Sequence, residues 1–207
     1  RVSQWSDKSG NNRNLINPTS NTQPYLSDIN GVRAMYSTSA GEQLYADSNW
    51  IGNLFYNAPR TNIIVFKHDA NRDDPGVIWN LGGRASSNRF FHLGLYSNYS
   101  LTLNVGNETQ VLDTISFGGI YQAVIYNTTT NRNSYQYGFQ GSLPSSLGFS
   151  SAGITNFTDN SSTYEGLFGR HRDGFTYATN RFRGRIAEWI ALVGVPTTEQ
   201  YQKIAGY

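Results

Sequence analysis

The residues best equipped for chemistry lie near the end of the chain. Arg170, His171, Arg172, Asp173, Phe175 and Tyr177 are followed by Arg181, Arg183 and Arg185, so five of the 16 Lys and Arg fall within sixteen positions, interleaved with aromatics. A guanidinium fork grips a carboxylate or sulfate with two parallel hydrogen bonds, and an aromatic face stacks on a sugar ring. That combination suits an acidic glycan. Trp50, Tyr56 and Tyr164 offer a second stacking surface, although Tyr and Trp serve equally well as core residues with a polar tip. The competing reading is a strand flank whose arginines pair with surface acids or face a neighbouring subunit.

A second group is Asp69, Asn71 and Asp73, which sets oxygen ligands at alternate positions as Ca²⁺ loops do. The sixth position is Asp74 rather than Gly, and the twelfth is Asn80 rather than a bidentate acid. A solvated turn closing at Asp74 and Pro75 competes with the metal reading. Glycoside hydrolysis by a retaining mechanism needs two carboxylates about 5 Å apart, yet no Asp or Glu here has another acid two residues on. Glu188 is expected to be a partly buried structural acid bonded to a neighbouring strand or an Arg. His68, His92 and His171 are scattered, no Ser/His/Asp pattern surrounds them, and Gly82-Gly83 opens no phosphate-binding helix. Without Cys there is no thiolate chemistry and no disulfide. The expectation is a binding protein, not an enzyme.

What must position these groups is a β-rich scaffold. Charged residues are only 14% and Gly, Asn, Ser and Thr abound, as many short strands joined by polar turns require. A net charge of +2 gives no reason to expect nucleic acid as a partner. No apolar run approaches the ~18 residues of a membrane span, so insertion is not expected. From 186 to 195 both parities are apolar, which predicts a central strand covered on both faces. Pro196 ends it, and Thr197 with Gln200 forms a capping-box pattern that predicts a short helix with Tyr201, Ile204 and Ala205 turned inward. Residues 61–67 predict a second central strand. Residues 31–36 and 43–46 read as neighbouring strands of a meander, and 90–96 with 100–105 as a hairpin whose Leu101, Leu103 and Val105 alternate with polar residues, leaving one face wet. Trp5 is expected to plug one end, and Asp7 to hold an Asx turn. About a dozen strands at this spacing predict an all-β, two-sheet antiparallel jelly-roll sandwich with a short C-terminal helix, in one domain spanning 1–207.

The order of four segments resembles the concanavalin A-like, laminin-G-like jelly rolls of bacterial and phage surface proteins. They are the opening Trp5-Ser6-Asp7-Lys8-Ser9-Gly10, the step Asn30-Gly31-Val32-Arg33-Ala34, the strand at 120–126 before a polar turn, and the closing strand and helix from Phe182 to the C-terminus. The resemblance spans nearly the whole chain and implies fold more than ligand, because such domains serve as lectins, glycosidases, adhesion modules and spacers. Some hold Ca²⁺ at a loop rim, which keeps Asp69, Asn71 and Asp73 in view. The chain departs from the pattern at Tyr36-Ser37-Thr38, where members often carry an aromatic-Asp-Gly step, so no acidic contact is inherited there. The expected function is a non-enzymatic module of a longer or processed protein on a cell or virion surface. It would bind carbohydrate through Arg170, His171, Arg172, Asp173, Tyr177 and Trp50. The alternative is a structural or decoration module packed against neighbouring protein subunits, with a glycoside hydrolase third.

Overall fold

The computed structural model describes residues 1–38, 42–46, 59–69, 76–81, 91–96, 99–105, 108–127, 135–147, 165–168 and 182–205. Its strands are β1 (Gln4–Trp5), β2 (Leu15–Ile16), β3 (Tyr25–Ile29), β4 (Val32–Ser37), β5 (Leu44–Ala46), β6 (Arg60–His68), β7 (Gly76–Leu81) and β8 (Phe91–Leu95), then β9 (Ser100–Val105), β10 (Glu108–Thr114), β11 (Ile120–Asn127), β12 (Tyr135–Phe139), β13 (Ser145–Ser146), β14 (Glu165–Leu167) and β15 (Gly184–Val193). One helix, α1 (Thr198–Ala205), follows.

Two antiparallel sheets result, one ordered β1-β2-β5-β14-β7-β8-β9-β10 and the other β13-β12-β11-β6-β15-β4-β3. Their inner faces share one core, in which Ile64, Phe66, Ala123, Ile125 and Ile186 of the seven-stranded sheet meet Trp79, Leu93, Leu101 and Leu103 of the other. The molecule is a two-sheet β-sandwich with a short C-terminal helix.

β6 and β15 are the middle of the seven-stranded sheet, as their apolar runs predict. Residues with the parity of Ile64 and Phe66 enter the core, so Ile63, Val65 and Lys67 face outward. α1 docks on that outer face, where Tyr201 and Ile204 cover Ile63, Val124 and Ile190. The capping box is made: Gln200 N donates to Thr197 Oγ1 (3.2 Å) and Thr197 N to Gln200 Oε1 (2.8 Å). Tyr201 Oη reaches over Gly138 to donate to the Ser142 carbonyl (2.6 Å), a path that a side chain at 138 would block. Beyond the helix the spine is barer than its sequence suggests, since Val193 is 57% exposed.

Two expectations fail. Residues 31–36 and 43–46 are not meander neighbours, because β4 and β5 belong to different sheets; β4 pairs instead with β3 through the turn at Asn30-Gly31, both at positive φ as a two-residue hairpin requires. The β8–β9 hairpin forms, but its polar side is not wet: Thr102 is 1% and Asn104 4% exposed. Thr102 Oγ1 donates to the Gly94 carbonyl and Thr109 Oγ1 to Asn104 Oδ1, which makes that burial tolerable. Trp5 packs on the core edge, and Asp7 holds its turn, accepting from Ser9 N, Ser9 Oγ and Arg13 N. The Ser9 amide is the main reason that the Asp7 carboxyl titrates below its ordinary value.

Candidate functional site

Arg170, His171, Arg172, Asp173, Tyr177, Trp50, Asn71 and Asp73 lie outside the described residues. Of the expected site residues the structure places Asp69, with Arg183 and Arg185 from the same basic stretch, and it brings Asp69 and Arg185 together. Arg185 Nη1 donates to Asp69 Oδ2 (2.5 Å), and Lys67 Nζ lies 3.8 Å from Oδ1. This carboxylate faces two cations. Among the described residues, which include only Asp69 of the expected Ca²⁺ loop, no three His, Asp or Glu gather into a metal-binding group.

The ion pair is one end of a longer arrangement. Register across β3, β4, β15 and β6 sets Tyr25 opposite Tyr36, Tyr36 opposite Arg185, and Arg185 opposite Lys67, a single row on the outer face of the seven-stranded sheet. The rings of Tyr25 and Tyr36 are 6.5 Å apart; the Arg185 guanidinium lies 5.0 Å from the Tyr36 ring centre, and that of Arg1 3.9 Å from Tyr25. Arg1 is in turn held by the Gln23 carbonyl (2.7 Å) and the buried Glu42 (3.5 Å). Arg185 Nε donates to Ser27 Oγ (2.9 Å). With Nη1 on Asp69, its Nη2 is the donor left over. The row thus offers the Tyr25 ring, 37% exposed with Arg1 over one face, a spare guanidinium edge, and an ammonium at Lys67.

One residue-pair further along β6 lies a second outward row. A β-bulge at Ala187 puts Glu188 opposite Val65, and Val65 is opposite Gln122. This row floors a groove of about 830 Å³, walled by the β3–β4 turn with Arg33, by Lys8 and by Gln140. Glu188 is partly buried, as expected, but the expected bond to a neighbouring strand or Arg is absent from its side chain, which makes no hydrogen bond or ion pair among the described residues. The bulge turns that side chain to the outer face, away from the core residues that share its sequence parity. At the end of β6, on its inner face, His68 is stacked on Phe182 and edge-on to Tyr99. Burial pushes its imidazole below the ordinary value, and the charge of Asp69 opposes this in part.

Sequence reasoning missed Tyr25, Tyr36 and Lys67, which are scattered along the chain and meet only through strand register. The alternation of Lys67 with core residues on β6 was the one signal that it faces out.

The decisive likeness is of fold. Over 99% of its length the chain superposes on a sialidase from Trypanosoma rangeli in complex with sialic acid, with TM-score 0.69 and 9% identity, covering 31% of that chain. It also matches the Ruminococcus gnavus IT-sialidase CBM40 bound to alpha2,6 sialyllactose (TM-score 0.60, 15% identity, 87% of this chain and 96% of that one). The same CBM40 bound to alpha2,3 sialyllactose gives TM-score 0.56 at 16% identity over 73% and 84%. These are β-sandwich neighbours. The chain spans about a third of the trypanosomal sialidase. No family model matches the sequence, nor does any curated protein.

Proposed function

We propose that this protein is a non-catalytic carbohydrate-binding module whose site is the outer face of the seven-stranded sheet. The observation that carries the reading is the row Tyr25, Tyr36, Arg185 and Lys67, which combines a partly exposed ring with unspent cationic donors. Two cations facing one carboxylate leave the Lys67–Asp69–Arg185 end positive, so the ligand is a glycan with a carboxylate, and a sialylated one is the first to try. CBM40 neighbours bound to sialyllactose support that choice. Arg170, His171, Arg172, Asp173, Tyr177 and Trp50 are further candidate ligand contacts in this reading. The unit is a laminin-G-like domain of a longer protein displayed outside the cell, on a cell or virion surface. Single-site affinity is in the micromolar to millimolar range, and repeated display supplies avidity.

Exposed Leu192, Val193 and Val195 beside α1 favour a second role, contact with a neighbouring protein subunit. The test is a glycan array with the domain multimerised on a tag, with and without Ca²⁺. The expected result is binding to sialylated glycans, weakened by Arg170→Ala with Arg172→Ala; a Ca²⁺ requirement would point to the loop of Asp69, Asn71 and Asp73. A blank array would leave the subunit-contact role as the surviving one.

A further inference from the structure

We propose that the groove at Glu188 is a second subsite that reads the hydroxyls of a neutral sugar, adjoining the acidic sugar held by Arg185 and Lys67. The inference rests on the glycan-binding reading and specifies its ligand as an oligosaccharide with an acidic residue followed by an uncharged one.

The spine explains why the two subsites exist side by side. Arg185 pairs with Lys67, and Ile186 with Phe66 in the core; without interruption, Glu188 would share the inward parity of Ile186. The extra residue, Ala187, resets the parity, so Trp189 pairs with Ile64 and turns inward while Glu188 pairs with Val65 and faces out. The same residue marks where β4 leaves β15, since their pairing stops at Ile186 and Met35. The β3–β4 hairpin splays from the spine there, which opens the groove.

Its chemistry differs from that of the row beside it. Glu188, Lys8 and Arg33 all line it, and none has a hydrogen bond or ion pair among the described residues. Cation and carboxylate are thus both available without neutralising each other. A sugar hydroxyl donates one hydrogen bond and accepts others, and so can use both. A neutral sugar meets no charge of its own sign in the groove, whereas a carboxylate on the sugar would face Glu188 as well as the two cations. Ile29, Val65 and Ile120 give the groove an apolar floor for the C–H face of a ring. The rows of Lys67 and Val65 are two residues apart on β6, about 7 Å at the usual rise per residue. That is comparable to the step between neighbouring rings of an oligosaccharide.

The experiment is calorimetry of the full chain with sialyllactose and with free sialic acid, for wild type, Glu188→Gln and Glu188→Ala. Gln is isosteric, so the fold is not at issue; it replaces a charged acceptor by a neutral one, and the expected loss for sialyllactose is about tenfold. Affinity for free sialic acid should stay unchanged, because that sugar sits on Arg185. Equal affinity of wild type and both variants for sialyllactose would overturn the subsite while leaving the acidic-sugar site standing. A gain in affinity for either ligand would also overturn it, since Glu188 would then be repelling the ligand. Failure of wild type to bind either sugar would overturn the subsite together with the reading beneath it.

Discussion

Replacing Arg185 by Ala separates a binding role from a structural one. The side chain makes an ion pair with Asp69, a hydrogen bond to Ser27 and a contact with the Tyr36 ring, and it is about a quarter exposed. Pairs of that exposure contribute about 0.2–1 kcal/mol, the ring contact about 0.5–1, and the hydrogen bond about 1. These terms share one side chain and do not add in full, so the expected stability cost is about 1–2 kcal/mol. For a chain of this size that is a fall in Tm of roughly 2–8 °C. Binding should suffer more. A charge-assisted hydrogen bond to a sugar carboxylate is worth about 1.5–3 kcal/mol, or at least a tenfold loss in affinity. Scanning calorimetry and titration with sialyllactose at low ionic strength read the two effects independently. Arg185→Lys keeps the charge but loses the fork and should fall between. Unchanged affinity in the Ala variant would refute the site, and a Tm drop of some 15 °C would show Arg185 to be a structural support.

Gly184→Ala would place a Cβ 2.2 Å from the Lys67 carbonyl oxygen and 2.6 Å from the Phe182 ring. That oxygen is backbone of the adjoining strand, so the expected cost is about 3 kcal/mol or more, and a wild-type urea midpoint would contradict the packing described. His68 is 2% exposed and its folded pKa is depressed, mainly by burial. Its contribution is intact above the ordinary value near 6.5 and is lost as pH falls below it, because the unfolded chain then takes up the proton first. Melting curves at pH 7.5 and 5 should show that loss, and His68→Gln should shrink the difference between them; an unaltered difference would assign the acid sensitivity elsewhere.

Much of the scaffold was legible because its signals are local. The runs at 61–67 and 186–195 were read as central strands and became β6 and β15, the latter ending at Val193, while Thr197 and Gln200 made their capping box. The proposed binding face was less legible, since Tyr25, Tyr36, Arg185 and Lys67 meet across four strands and only pairing register joins them. The outward aim of Glu188 was not legible, because strand parity is read by counting and one bulged residue at Ala187 reverses every side chain that follows. Thr102 and Asn104 misled in the opposite way, since polar residues on an alternating strand look solvated when their hydroxyl and amide are in fact bonded within the sheet.

The alternation on β6 bears on how such a domain could change its ligand. Ile64 and Phe66 are wholly buried, whereas Val65 and Lys67 between them look outward, and Arg185 and Glu188 flank them on the spine. In the proposed site a change of specificity would therefore fall at positions 65, 67, 185 and 188 while the core stays as it is. Substitutions on that outer face leave the packing beneath it untouched.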